Sequence, residues 1–258
     1  MDAKLTIVDV TGSTNDDLLE AGKQGAPPGT GLAARVQTAG RGRRGHKWDS
    51  TAGNLLLSIV LRPRVDPAKY SGLAAVSGLA VLEALEKQGF ANEIGLKWPN
   101  DLVARGRKLG GILVEVARDN EGKPFAVCGI GVNVNYTPQE VPDGGLAAIG
   151  LSDLNESVPA VDMLVEKVYH AVIDAVDAWE ERFNAMEESA GPLAPVRDDY
   201  VGHLNWIGEC VIARSPVGDE LARGIFQTVD DFGRACIETE DDLRSFHFEE
   251  ASLRPLSE

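Results

Sequence analysis

The sequence predicts an α+β chain: a first domain of interleaved strands and helices, then a small all-β domain at its C-terminal end. Three observations carry this. Residues 54–61, "NLLLSIVL", form a continuous apolar run of strand length, the pattern of a strand covered on both faces. Two other segments carry apolar residues at helical spacing. Beyond residue 206 that spacing disappears, and short strand-like runs follow one another about every ten residues.

The elements follow in order. "LTIVDV", residues 5–10, reads as a strand. In "GSTN", Ser13 or Thr14 is a suitable N-cap for a short helix through Leu18, Leu19 and Ala21. "GKQGAPPGTG" is a Gly/Pro loop, and "LAARVQ" is a strand running into a basic segment. Leu73, Val76, Leu79, Leu82 and Leu85 mark a helix, supported by Glu83–Lys87 at i,i+4 and stopped near Gly89. "IGLKW", "GILVEVA" and "FAVCGIGVNVN" read as strands. Residues 160–186 carry one apolar stripe through Val161, Leu164, Val165, Val168, Val172, Val176, Trp179 and Phe183. "ECVIA", "LARGIFQTV", "RACIET" and "LRSFHF" complete the chain as a barrel or sandwich of about 50 residues. The expected domains are 1–206 and 207–258.

Composition narrows the function. The net charge is −15 and the apolar fraction 43%. A negative protein is repelled by nucleic acid and by anionic membrane surfaces. The N-terminus lacks the basic start and apolar core of a signal peptide, and no apolar run approaches the ~20 residues of a membrane span. Cys128, Cys210 and Cys236 are scattered and odd in number, which supports neither a zinc site nor disulfides. A cytoplasmic protein is expected.

Against this acidic background, "QTAGRGRRGHKWDS" (residues 37–50) places Arg41, Arg43, Arg44 and Lys47 among Gly40, Gly42 and Gly45. Glycines let a backbone approach a ligand, and arginines bind phosphate oxygens bidentately. It is no Walker A loop, and no helix follows it as a dinucleotide fingerprint requires. A solvated basic loop is the plainer alternative. "KWPNDL" sets Asn100 and Asp101 at a turn fixed by Pro99, an ordinary turn sequence by itself. "GRKLGGILVE" puts Lys108 before Gly110, Gly111 and a strand, or simply in a hairpin. In "CGIGVNVN", Gly129 and Gly131 open a groove on one strand face that Asn133 continues, although a glycine strand more often marks a close backbone approach. Four such segments within 130 residues outweigh any one of them.

Taken together, "GSTN", "QTAGRGRRGHKW", "KWPNDL", "RKLGGILVE", "GIGVNVN" and the terminal "EEASLR" are similar to the biotin–protein ligases over nearly the whole chain. The resemblance implies a mixed sheet flanked by helices, like the class II aminoacyl-tRNA synthetases, with an SH3-like barrel behind it. It implies that biotin and ATP, with Mg²⁺, give biotinyl-5′-AMP, and that biotin then passes to one lysine of a carrier protein. The implied carriers are the biotin carboxyl carrier protein of acetyl-CoA carboxylase and related carboxylases. Some relatives carry an added DNA-binding domain. Here the first strand starts close to Met1, so the resemblance implies an enzyme only, as monomer or homodimer.

The resemblance also implies roles. Ser13, Thr14, Asn15 and Gln37 bind biotin, with the Gly40–Arg41–Gly42 backbone. Gly111, Gly129 and Gly131 leave room for it, and Trp48 shields it. Arg41 and Arg43 lock the basic loop as a lid, and Arg41, Arg43, Arg44 and Lys108 also bind ATP, on its phosphate side. Lys108 neutralises the charge shared by biotin carboxylate and α-phosphate. Asn100, Asn133 and Arg254 contact nucleotide. Asp101 orients or deprotonates the acceptor lysine, or takes part in magnesium binding. His46 departs from the family's usual arginine. Two other readings compete: a lipoate or octanoate transferase of the same superfamily, and a nucleic-acid binder using the basic loop, which lacks interleaved aromatics.

Overall fold

The computed structural model describes residues 4–139 and 145–256. Its first domain is built on a seven-stranded sheet of order β1-β2-β3-β7-β6-β5-β4. The strands are β1 (Leu5–Thr11), β2 (Gly31–Gln37), β3 (Leu55–Leu61), β4 (Gly95–Lys97), β5 (Asp101–Ala104), β6 (Arg107–Arg118) and β7 (Pro124–Val132). The β1–β2 pair is parallel and the other neighbouring pairs are antiparallel, so the sheet is mixed. The helices are α1 (Thr14–Lys23), α2 (Leu73–Leu85), α3 (Val161–Asn184) and α4 (Arg197–Gly202).

Alternation along the central strands decides which face becomes a core. Every residue of β3 is buried, as the unbroken apolar run requires. Leu55, Leu57, Ile59 and Leu61 point to the face covered by α2 and α3 and share one core with Cys128, Ile130 and Val132 of β7. The opposite face holds α1, with Leu18, Val60, Phe125 and Val127 in a smaller cluster. Gly129 and Gly131 follow Val127 at period two, so they lie on that thinly covered face. The sheet thus has one face closed by helices and one where the α1 cluster gives way to glycines. α2 ends at Leu85 and passes into a π-helical turn, Glu86–Phe90, where Gly89 takes φ +103°, a backbone state that glycine tolerates.

The second sheet is antiparallel, order β11-β10-β9-β8-β12, from β8 (Cys210–Arg214), β9 (Glu220–Val229), β10 (Ala235–Glu238), β11 (Leu243–Phe246) and β12 (Ser252–Pro255). It forms the SH3-like domain around Val211, Ala213, Phe226, Val229, Ala235, Ile237 and Leu253. The sheets are tied together. Trp98 donates its indole N–H to Gly233 O at 2.9 Å, and the Leu193 amide donates to Asp231 O.

Three local expectations change. "LRSFHF" is not one strand: β11 ends at Phe246, and the Glu250 carboxylate accepts from the His247 amide to hold a turn before β12. β6 begins at Arg107, four residues before "GILVEVA", so Lys108 is a strand residue. The "PND" turn ends one residue early, since Asp101 already pairs with Gly111 in the β5–β6 ladder. Among the described residues, no helix is long and apolar enough to cross a membrane.

Candidate functional site

The site lies on the glycine face of the sheet, between α1, β6, β7 and the basic loop. Ser13 caps α1 through the Asp16 amide. This sets Thr14 and Asn15, both buried, at the helix start facing the sheet. Thr14 donates its amide at 2.8 Å and its hydroxyl at 3.0 Å to Gln37 Oε1. Its hydroxyl is also 2.7 Å from Ser58 Oγ, and Ser58 donates to Asn15 Oδ1. Gln37 donates to Ser50 Oγ at 2.9 Å, and Ser50 to Trp48 O. A chain of side chains able both to donate and to accept therefore links the start of α1 to the basic loop.

Gly129 and Gly131 do not face open space as expected: the Asn15 and Trp48 side chains pack directly on them. A Cβ on Gly129 would stand 2.2 Å from the Asn15 amide oxygen, and one on Gly131 would stand 2.6 Å from the Trp48 ring. Gly40 is equally tight against Ser50. Gly111 is looser, 3.5 Å from Asp101 Oδ1.

The basic loop is folded as a tight turn. The Gly42 amide donates to His46 O at 2.7 Å and the Trp48 amide to Gly40 O at 3.0 Å. Arg41 does not face an open anion site: its guanidinium pairs with Asp16 of α1 and, at 2.6 Å, with Glu115 of β6. Those bonds, Glu115 first, raise its basicity further. Glu115 also accepts from Asn15 at 2.8 Å. Arg41 thereby fastens the loop to α1 and β6.

Arg43 donates to Asn100 Oδ1 at 3.0 Å and to Phe248 O at 2.8 Å, and its guanidinium lies 5.1 Å from the Phe248 ring centroid. Arg44 binds the carbonyls of Phe248 and Glu249 and takes a positive φ of 56°. Two arginines thus latch the loop to the turn before β12.

Asp101 is the hub. Lys108 Nζ is 2.7 Å from one carboxylate oxygen and Lys97 Nζ 3.3 Å from the other. Burial pushes this carboxyl up, but Lys108 and Lys97 together outweigh burial and hold it well below the usual carboxylate range. Arg43 and Arg254 also feel its charge, while burial lowers the basicity of both. Two lysines thus contact one carboxylate, and the charges of Arg43 and Arg254 interact with it through space. Lys108 also lies 5.6 Å from the Trp48 ring centroid.

Asn133 is buried past the end of β7 rather than on the glycine face. Its amide donates to Ile149 O at 3.1 Å and, more weakly, to Lys108 O. Asn100 donates to Ile112 O while accepting from Arg43. Arg254 donates to Leu253 O. Among the described residues, two buried side-chain polar atoms lack a partner: Trp48 Nε1 and Asn133 Oδ1. Trp48 Nε1 lies over Gly131, while Asn133 Oδ1 lies past the end of β7, beside the Lys108 backbone; such orphaned polar atoms call for a partner.

Sequence reasoning missed Lys97, Glu115, Ser58 and Ser50. Lys97 and Glu115 carried a signal, since each is a charge inside an otherwise apolar strand. The Phe248 carbonyl could not be found, because a backbone acceptor leaves no trace in residue type. No group of three or more His, Cys, Asp or Glu side chains suited to a metal occurs among the described residues. Cys128 is no nucleophile: burial pushes its thiol up to about 12.

Comparison with known proteins bears on the family. Residues 7–135 match the biotin/lipoate A/B protein ligase family, and residues 207–254 match the biotin protein ligase C-terminal domain. The chain is 38% identical to a biotin–[acetyl-CoA-carboxylase] ligase of Mycobacterium tuberculosis, over 91% of this chain and 83% of that one. It is 34% identical to an enzyme of the same name from Paracoccus denitrificans, over 86% and 89%. The biotin protein ligase of Aquifex aeolicus, solved with biotin and ATP, superposes with a TM-score of 0.78 at 28% identity, covering 97% of this chain and 98% of that one. Motifs, fold and relatives converge, and the chain belongs to the biotin protein ligase family.

Proposed function

We propose that this chain is an ATP-dependent biotin–protein ligase working in two steps at the Asp101–Lys108 centre. In the first, a biotin carboxylate oxygen attacks the α-phosphorus of ATP. A P–O bond to biotin forms, the bond to the leaving oxygen breaks, and pyrophosphate departs. Two anions must meet, so the barrier is largely electrostatic. The observation that carries the reading is the Asp101 carboxylate held between Lys108 at 2.7 Å and Lys97 at 3.3 Å, beside the basic loop that Arg43 joins to Asn100 and Phe248.

Lys108 is half-exposed and held only at its tip, free to swing from Asp101 to the meeting carboxylate and phosphate. The Thr14–Ser58–Asn15 and Thr14–Gln37–Ser50 chains offer donors and acceptors to the ureido ring, and Trp48 walls it from water. Arg43, Arg44 and Arg254, with Asn100, serve the nucleotide. Asn133 serves it through its unpartnered oxygen. Magnesium, with one or two carboxylates at most, would ride on the triphosphate.

In the second step a lysine amine of the carrier attacks the acyl carbon. The C–N bond forms, the C–O bond to AMP breaks, AMP leaves, and the extra proton passes to solvent. A carboxylate held below its usual range is a poor base, so Asp101 orients the amine as hydrogen-bond acceptor rather than removing its proton. The acceptor is the carrier domain of acetyl-CoA carboxylase or a related carboxylase. Biotin-dependent ATP–pyrophosphate exchange tests the first step. Exchange driven by lipoate or octanoate and not by biotin would replace this reading with the other acyl ligase.

A further inference from the structure

We infer that Lys97 is a positioning residue for the transfer step: it is the fixed partner that keeps Asp101 in place once Lys108 has left for the substrate. The two lysines share one carboxylate but differ in freedom. The Lys97 side chain is 4% exposed and the Lys108 side chain 33%. Lys97 stands on β4 directly opposite Asp101 of β5, and its ammonium lies 5.9 Å from the ring centroid of Trp206 at the domain junction. Asp101 is the one acceptor its ammonium contacts among the described residues. Lys108 reaches Asp101 from β6 and can exchange. Lys97 is walled in and cannot.

A buried lysine is an expensive way to fill this space. An apolar side chain of the same length would pack there with no desolvation cost. The other charged groups around Lys97 deepen the problem, because Lys108 of β6 and Arg254 of β12 both repel it. Burial and these cations disfavour its charge, and Asp101 is what favours it. Asp101 in turn faces Lys97, Lys108, Arg43 and Arg254, and the Tyr200 hydroxyl on α4, whose proton burial makes harder to remove. When Lys108 turns to the phosphate, an Asp101 without Lys97 would be a nearly buried carboxylate lacking its remaining direct partner. It would take up a proton and cease to accept from the incoming amine.

The inference rests on the reading that Asp101 receives the acceptor amine. The test is single-turnover transfer from supplied biotinyl-5′-AMP to a carrier domain across pH 5–9, as about the range where the proteins stay folded. Removing a close opposite charge raises a carboxyl by about 1–3 units. Lys97→Met should therefore lower transfer increasingly toward pH 5, where the unaltered enzyme, with Asp101 held well below the usual carboxylate range, shows no loss from Asp101, with about a tenfold loss per unit below the raised value. Lys97→Arg should restore the unaltered profile. The inference is overturned if Lys97→Met keeps the unaltered profile, or loses pyrophosphate exchange and transfer by the same factor. It is equally overturned if Lys97→Arg, which keeps the charge, loses transfer while keeping exchange, an arm that holds even if Lys97→Met fails to fold. Asp101→Asn separates the underlying reading: undiminished transfer in that variant removes the role of Asp101 itself.

Discussion

The Lys108 ammonium stands 2.7 Å from the Asp101 carboxylate, so the residue assigned to the anions of the first step is parked on the residue assigned to the amine of the second. Lys108→Ala is expected to lower biotin-dependent pyrophosphate exchange by about 10²–10³, the usual cost of losing one preorganised charge contact in a transition state. Its melting temperature should change little, because the side chain is half-exposed and Lys97 still pairs with Asp101.

Arg43 bonds to Asn100 of the first domain and Phe248 of the second. Arg43→Gly should unlatch the basic loop from both. Biotinyl-5′-AMP should then escape and label lysines of bystander proteins such as albumin, seen by streptavidin blotting. Labelling confined to the carrier would contradict a lid role.

Arg254 lies on β12 with its charge within reach of Asp101. A charge-assisted bond to the nucleotide contributes about 1.5–3 kcal/mol, or about ten- to hundredfold. Arg254→Ala should raise KM for ATP by that factor and leave KM for biotin nearly unchanged. Equal effects in steady-state kinetics would reduce the second domain to a scaffold.

The pH dependence of stability gives a separate check on Asp101. Its folded value is depressed, so its stabilising effect is complete above the unfolded value of about 3.9 and is lost as pH falls through the folded one. Asp101→Asn leaves Lys97 buried without a carboxylate and should cost about 3 kcal/mol near pH 7. Urea titrations at pH 7 and pH 3 should show the gap to the unaltered protein narrowing at the lower pH.

Gly131→Ala places a methyl group inside the contact radius of the Trp48 ring. The ring must shift, and the groove it walls must deform, at about 1–3 kcal/mol. Biotin titration calorimetry should show weaker binding by that amount. Unchanged affinity would mean that Trp48 does not wall the biotin site.

Much of the fold was legible because its strongest signals are periodic. The seven buried residues of β3 and the stripe of α3 follow from burial on both faces and on one face respectively. The glycine face was legible because Gly129 and Gly131 sit at period two. What escaped notice depended on partners distant in sequence. Arg41 looked like a phosphate ligand, yet Asp16 and Glu115 claim its charge. Asn133 seemed to extend the glycine face, but β7 ends at Val132 and the side chain turns inward to Ile149. Residue type announces a charge or an amide without saying which distant partner meets it.

The decisive measurement mixes the protein with biotin, Mg-ATP and a biotin carboxyl carrier domain, then maps the modified residue by mass spectrometry. One biotin is predicted on a single carrier lysine, dependent on ATP and lost with Lys108→Ala. A carrier left unmodified under these conditions, or modified equally well without ATP, would contradict the assignment.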